Sequence, residues 1–319
     1  AERIGVAACL TAEQYRQRPV AIVVSAMAGI TNLLLETLGR AKDGDSAGVA
    51  SNIERLREHH ARTCRELLPP DRHERVLAAM NSAIDCFERI AGGITMLGEA
   101  PPRSVDEALA VGERLSVTLI AECLEAHGVK AEAVDAANVI VTDAVFGNAT
   151  PLMGATRERA RARLLPMLAQ GVLPVVTGFN GATEDGRPTT LGRGGSDFSA
   201  SILASALDAS ELWIWTDVDG IMTADPRIVP DCAVLDEVTY REAAELAYNG
   251  AKVLHPRTLA PLIEKGIPVW SKNSFAPDKP GTKIVPRIAD VTGARAVTSM
   301  SNVALISIEP ASTVINATQ

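Results

Sequence analysis

Several things are scarce in this chain, and each scarcity excludes something. Aromatic residues make up only 3% of it, which leaves few candidates for a base-stacking surface. Positive charge does not predominate: the net charge of −8 argues against a general nucleic-acid binder and against an anionic membrane surface. No apolar run approaches the ~20 residues needed to cross a bilayer. Nothing reads as a signal peptide, so the cytoplasm is the expected location. The five cysteines, Cys9, Cys64, Cys86, Cys123 and Cys232, show no CxxC spacing, as expected of thiols in a reducing compartment. No GxGxxG follows an early strand and no GxxxxGK[ST] occurs, which counts against a nicotinamide-dependent dehydrogenase and a P-loop kinase. What is present suffices for a large core: 319 residues, 47% hydrophobic and 22% charged, in one large domain or two.

The chain is organised around residues 177–197, TGFNGATEDGRPTTLGRGGSD. An apolar run at 172–176 reads as a buried strand. A polar, glycine-bearing loop follows and closes on Leu191-Gly192-Arg193-Gly194-Gly195-Ser196-Asp197. Phe198, Ile202, Leu203 and Ala206 then recur at helical spacing. A glycine-rich turn opening a helix is an anion site, because first-turn N–H groups lack partners and the dipole is positive there. Arg193 adds a forked cation suited to a carboxylate or phosphate. A tight turn with a solvent-facing arginine is the plainer alternative.

A second unit of this kind lies upstream. Residues 20–24 form a continuous, mostly β-branched run, expected as a strand buried on both faces. Ser25-Ala26-Met27-Ala28-Gly29-Ile30-Thr31-Asn32 follows, then a leucine-rich helix. Ser25 and Thr31 thus sit at a strand's carboxyl end, where open α/β sheets place ligands; helix capping by Thr31 or Asn32 is the alternative. Residues 49–98 are nearly all helical in pattern, broken at Pro69-Pro70, and His59-His60 reads as part of a solvated face. Ser104-Val105-Asp106-Glu107 has the spacing of a capping box and predicts a helix to His127. Glu113 falls on the apolar stripe of that helix, so it is either salt-bridged or a ligand-binding carboxylate. After a strand at 211–215, Thr216-Asp217-Val218-Asp219-Gly220 places acids and a hydroxyl at a strand end; Asp217 and Asp219 fit Mg²⁺ contact or turn formation equally. A change of pattern after 297 predicts a further strand at 303–308. Strands alternate with helices through most of the chain, the signature of a mostly parallel sheet covered on both faces.

Taken together, four stretches resemble aspartokinase, of the amino-acid-kinase superfamily. They are residues 23–34 (VVSAMAGITNLL), Gly112-Glu113-Arg114-Leu115-Ser116, the GRGGSD run at 192–197, and WTDVDGIMTADPR at 215–227 continued by GAKVLHPRT at 250–258. The resemblance covers residues 1–290 and implies a three-layer α/β amino-acid-kinase fold, a mostly parallel central sheet between helices, with a helical insert at about 44–100. Residues 291–319 resemble a linker and the start of an α+β ACT regulatory domain. The implied activity is ATP-dependent phosphorylation of the β-carboxylate of L-aspartate, the entry to lysine, threonine and methionine. The implied catalytic residues are Asp197 and Arg193, with Ser25, Thr31, Glu113, Phe179, Arg193, Gly194, Gly195 and Ser196 around the amino acid. Thr216, Asp217, Met222, Asp225, Arg227, Lys252 and Val253 match the nucleotide side; Met222 stands where many relatives have tyrosine. ATP and Mg²⁺ are the implied cofactors, with no protein ligand to the metal. The resemblance also implies a dimer or tetramer paired through the regulatory region, an end-product amino acid as allosteric inhibitor, and neither nucleic acid nor membrane as partner. One departure stands out. The family opens on a strand with a KFGGTS motif, whereas no lysine precedes Lys42 here. An upstream strand carrying that lysine is therefore expected in the natural chain. A non-catalytic regulatory subunit is the competing expectation, against which the presence of Glu113, Arg193, Asp197 and Lys252 counts.

Overall fold

The computed structural model describes residues 1–251, 254–288 and 293–300. Helix α1 (Glu2–Tyr15) leads into strand β1 (Ile22–Val24) and helix α2 (Ile30–Lys42). Three long helices follow: α3 (Ser46–Leu67), α4 (Pro70–Leu97) and α5 (Pro102–Ala126). Strand β2 (Ala131–Val134), a 3₁₀ turn (Ala136–Asn138) and strand β3 (Val141–Thr142) precede helix α6 (Met153–Ala169). Strand β4 (Leu173–Thr177), the hairpin β5 (Asn180–Thr183) and β6 (Pro188–Thr190), and helix α7 (Gly195–Leu207) come next. Strand β7 (Leu212–Thr216), strand β8 (Glu237–Thr239), helices α8 (Tyr240–Tyr248) and α9 (Pro256–Ile263), and strands β9 (Val269–Asn273) and β10 (Thr282–Val285) complete the described part.

Burial along β4 shows why the layers stack as they do. All five of its residues are buried. Leu173 and Val175 join the core built on α1 to α5, whereas Val176 and the preceding Val172 join the core built on α6 and α7. Alternate side chains of one strand therefore feed opposite cores, which requires helices on both faces of the sheet. Strand β4 sits between β1 and β2, parallel to both; a second sheet runs β7-β9-β10-β8 and a third β3-β5-β6. Among the described residues, five of the seven strand pairings are parallel. This is the three-layer, mostly parallel α/β arrangement. No helix among the described residues is long and apolar enough to cross a membrane.

Local differences from expectation have physical causes. The capping box at Ser104 does not form: α5 begins two residues earlier, where Pro102 occupies the first helical position and needs no N–H partner. Asp106 is instead buried and accepts from the Gly147 and Thr190 amides and the Thr190 hydroxyl, tying the helix to β6. The loop between β4 and α7 contains the hairpin, whose polar strand β5 is wholly buried. His60 is not on a solvated face: it is buried within the helical insert, and desolvation pushes its pKa down to about 4. The expected strand at 303–308 lies outside the described residues. A capping box does form at α8, where Thr239 accepts from the Glu242 amide and Glu242 accepts from the Thr239 amide. Thr239→Ala is expected to cost about 1 kcal/mol, read as a lower urea midpoint with unchanged slope.

Candidate active site

Two helix starts converge because two parallel strands are neighbours. Val24 of β1 is in register with Thr177 of β4, so the chain leaves both strands on the same side of the sheet. The Gly178 amide then donates to the Val24 carbonyl at 2.8 Å, holding the two exits together. The β1 exit opens α2 directly through the left-handed Gly29 (φ 80°), the β4 exit reaches α7 by way of the hairpin and the left-handed Gly194 (φ 71°), and no side chain caps either start. Positive φ at these positions is where glycine is favoured over other residues. The uncapped starts leave first-turn backbone donors for a ligand.

Helix α5 brings the carboxylate. A Cβ on Gly112 would lie 3.0 Å from the Ala26 Cβ, so glycine lets the helix approach the β1 exit closely. Glu113 Oε1 then accepts from the Ala26 amide at 3.2 Å. Its Oε2 is buried with no partner. Glu113 is 3% exposed and forms no ion pair, which rules out the structural salt bridge among the described residues. Burial raises its pKa to about 7, opposed only by backbone hydrogen bonds. A cavity of about 490 Å³ opens here, lined by Ser25, Ala26, Thr31 and Glu113 and by Phe179 and residues 192–197.

The 192–197 turn carries the cation. Arg193 is exposed, between Gly192 (φ 75°) and Gly194, and its guanidinium has no partner among the described residues. Asp197, in the first turn of α7, has its pKa raised by desolvation. Phe179 holds φ 68°, a strained value for a residue with a Cβ. Two contacts keep it there: its carbonyl accepts from the Leu191 amide at 2.8 Å, and its ring lies where a Cβ on Gly195 would approach to 2.6 Å. The cavity is thus lined by an anion-forming group, a cation and helix-start backbone.

The residues matched to a nucleotide fall in a different place, the loop after β7. The Thr216 hydroxyl accepts from the Val218 amide at 3.0 Å. Of the two aspartates, Asp219 is fixed by the Asn273 amide and by Lys279, both at 2.6 Å, as a turn anchor. Asp217 has no such tie. Met222 bridges to Val234, its sulfur 3.7 Å from Cys232 Sγ. Asp225 accepts from the Arg227 amide and pairs with its guanidinium at 2.5 Å. Lys252 and Val253 lie outside the described residues. Helix α7 packs on both β1 and β7 and so connects the two places. No group of three or more His, Cys, Asp or Glu that could hold a metal ion occurs among the described residues. Sequence reasoning missed the Ala26 amide and Gly178. Backbone amides leave no letter in a sequence; Gly178 had a signal only in its place after a strand, where a Cβ would meet Ser196 at 2.8 Å.

Comparison with known proteins agrees with this geometry. Residues 5–273 match the model of the amino acid kinase family. The chain is 37% identical over 292 residues to lysine-sensitive aspartokinase 3 of Escherichia coli, covering 90% of this chain and 62% of that protein. It is 38% identical over 301 residues to the chloroplastic aspartokinase 1 of Arabidopsis thaliana, covering 92% and 51%. Among solved structures, E. coli aspartokinase III in complex with aspartate and ADP is similar with a TM-score of 0.80 at 35% identity, over 89% of this chain and 62% of that one. The chain therefore spans less than two thirds of the length of these relatives. A family match across residues 5–273, on this fold, means that the chain belongs to the amino acid kinase family.

Proposed function

We propose that this chain is the catalytic region of an aspartokinase, transferring the γ-phosphoryl group of ATP to the β-carboxylate of L-aspartate. The observation that carries this reading is that Glu113 and Arg193 line one cavity. An amino acid with a second carboxylate needs a buried anion for its ammonium and a forked cation for its α-carboxylate, and these two residues answer to the two ends. The solved relative binds aspartate and ADP, which supports the same substrates here.

The chemistry asks little of a general base, because the nucleophile is already ionised at neutral pH. A β-carboxylate oxygen attacks the γ-phosphorus, the bond to the ADP oxygen breaks, and an acyl phosphate forms. The protein's part is positioning and the neutralising of charge. Ser25, Thr31 and Phe179 line the amino-acid side, Gly194, Gly195 and Ser196 present backbone and hydroxyl donors, and Asp197 orients groups about the reacting centre. The nucleotide is assigned to Thr216, Asp217, Met222, Asp225, Arg227, Lys252 and Val253. Mg²⁺ would be carried chiefly by the nucleotide phosphates and would supply charge neutralisation there. Residues 1–290 form the catalytic domain in this reading, and 291–319 begin a regulatory module that pairs chains and senses an end-product amino acid; one relative is lysine-sensitive by name, which supports an amino-acid effector.

A coupled ADP-release assay over a panel of acidic amino acids, with hydroxylamine trapping of the acyl phosphate, tests the proposal. Turnover with L-aspartate and a trapped hydroxamate are expected from the full-length protein. Aspartate binding without ADP release makes the chain a non-catalytic member, and the absence of both removes the assignment.

A further inference from the structure

We infer that Arg257 is a positioning residue for this reaction, holding the 192–197 turn in the shape that receives the anionic ends of the substrate. The inference rests on the reading above and assigns a task to the start of α9. Leu191 is the last residue before the turn and Phe198 the first after it. The Arg257 guanidinium touches both: Nη1 donates to the Leu191 carbonyl at 3.3 Å, and the group lies 4.9 Å from the centroid of the Phe198 ring. It also donates to Asn148 Oδ1 at 2.5 Å and to the Ala149 carbonyl at 3.3 Å.

Asn148 completes the clamp. A Cβ on Gly192 would lie 2.7 Å from Asn148 Oδ1, so that side chain fills the space beside the first glycine of the turn. The neighbouring loop is itself fixed, through the Gly147 amide to buried Asp106 and the Ala149 amide to the Thr190 carbonyl. On the far side His255, the N-cap of α9, packs where a Cβ on Gly194 would come within 3.1 Å. Residues distant in the sequence thus grip a turn whose glycines could hold many shapes on their own. Arg193 projects from the middle of that turn. The Arg257 guanidinium is bonded to the residue before the turn, lies against the Phe198 ring of the helix after it and is tied to the loop beside it. Its planar fork suits several fixed acceptors, which a lysine ammonium matches poorly.

The test uses the full-length protein. Arg257→Ala is expected to raise the KM for L-aspartate about tenfold or more, and the KM for ATP by less than about threefold. Arg257→Lys recovers part of the affinity. Asn148→Ala gives a smaller rise and adds little to Arg257→Ala, because the two act through one contact. Amide hydrogen exchange at residues 193–197 is expected to quicken about tenfold in Arg257→Ala with no substrate present. If Arg257→Ala does not fold, Arg257→Lys and Asn148→Ala carry the same readouts. A fall in Vmax that tracks the folded fraction, with the KM for aspartate unchanged, overturns the inference, and so does unaltered exchange at 193–197. If the parent protein fails to phosphorylate aspartate, the functional reading falls while the exchange measurement still decides the role of Arg257.

Discussion

Glu113→Gln is expected to unfold at a higher urea concentration than the parent protein at pH 8, and to use L-aspartate far less well. Both effects come from one buried carboxyl. Its folded-state pKa is about 7 against an ordinary 4.5, with burial as the leading cause. A raised acid pKa means that the folded state keeps its proton longer than the unfolded chain does. Below about pH 4.5 both states are protonated and there is no penalty. Stability is lost as pH rises from 4.5 towards 7, and the whole penalty persists above. A shift of this size corresponds to roughly 3 kcal/mol at most, from about 1.4 kcal/mol per unit. Glutamine carries no charge to desolvate, so the variant gains that stability at pH 8 and nothing at pH 4.5. An advantage independent of pH would show that packing, not ionisation, is responsible.

Substrate use moves the other way. An ammonium placed at Glu113 favours the ionised form, so binding pulls the pKa down and releases a proton near neutrality. The kcat/KM for aspartate should therefore fall as pH drops below about 7, and that limb should vanish in the variant. Loss of a charge-assisted contact in a desolvated cavity costs about 2–4 kcal/mol, or ~30- to 1000-fold in kcat/KM. Greater stability together with lost activity marks a group held under strain for function; a structural carboxylate would lose stability when neutralised.

How much of this was legible in the sequence depended on periodicity. The β-branched runs at β1 and β4 could be read as strands because a sheet covered on both faces demands apolar residues without alternation; β4 is buried throughout as expected, whereas β1, at the end of its three-stranded sheet among the described residues, is only half-buried. The position of Glu113 on a buried stripe followed from the helical repeat. The lone state of its Oε2 did not, since a partner's absence is a property of packing. The hairpin of β5 and β6 escaped because Asn180, Gly181 and Thr183 read as loop residues, yet they are buried, where strand pairing serves the backbone and Asp135 and Asp185 accept from the Asn180 and Thr183 side chains. His60 looked solvated beside His59 because adjacent helical residues point about 100° apart, and only the partner helices decide which one is covered. Arg257 stood in a recognised stretch, but its acceptors lie 66 to 109 positions away, beyond any local pattern.

Arg193→Ala should produce the second large effect, with the opposite thermodynamic signature. Arg193 is exposed and spends its guanidinium on nothing within the described protein. Its removal should leave the unfolding midpoint within the range of ordinary surface substitutions. Aspartate use is another matter. Arg193 stands between the left-handed Gly192 and Gly194 and lines the same cavity as Glu113. If the guanidinium receives the α-carboxylate, its loss should reduce kcat/KM for aspartate by ~30- to 1000-fold while the KM for ATP stays nearly constant. Arg193→Lys should recover only part, because a point ammonium supplies the charge without the two parallel donors. Comparable rises in KM for both substrates would move Arg193 to the phosphates. A full rescue by lysine would reduce its role to charge alone. Steady-state kinetics with each substrate varied in turn, beside a urea titration of both variants, separates these outcomes.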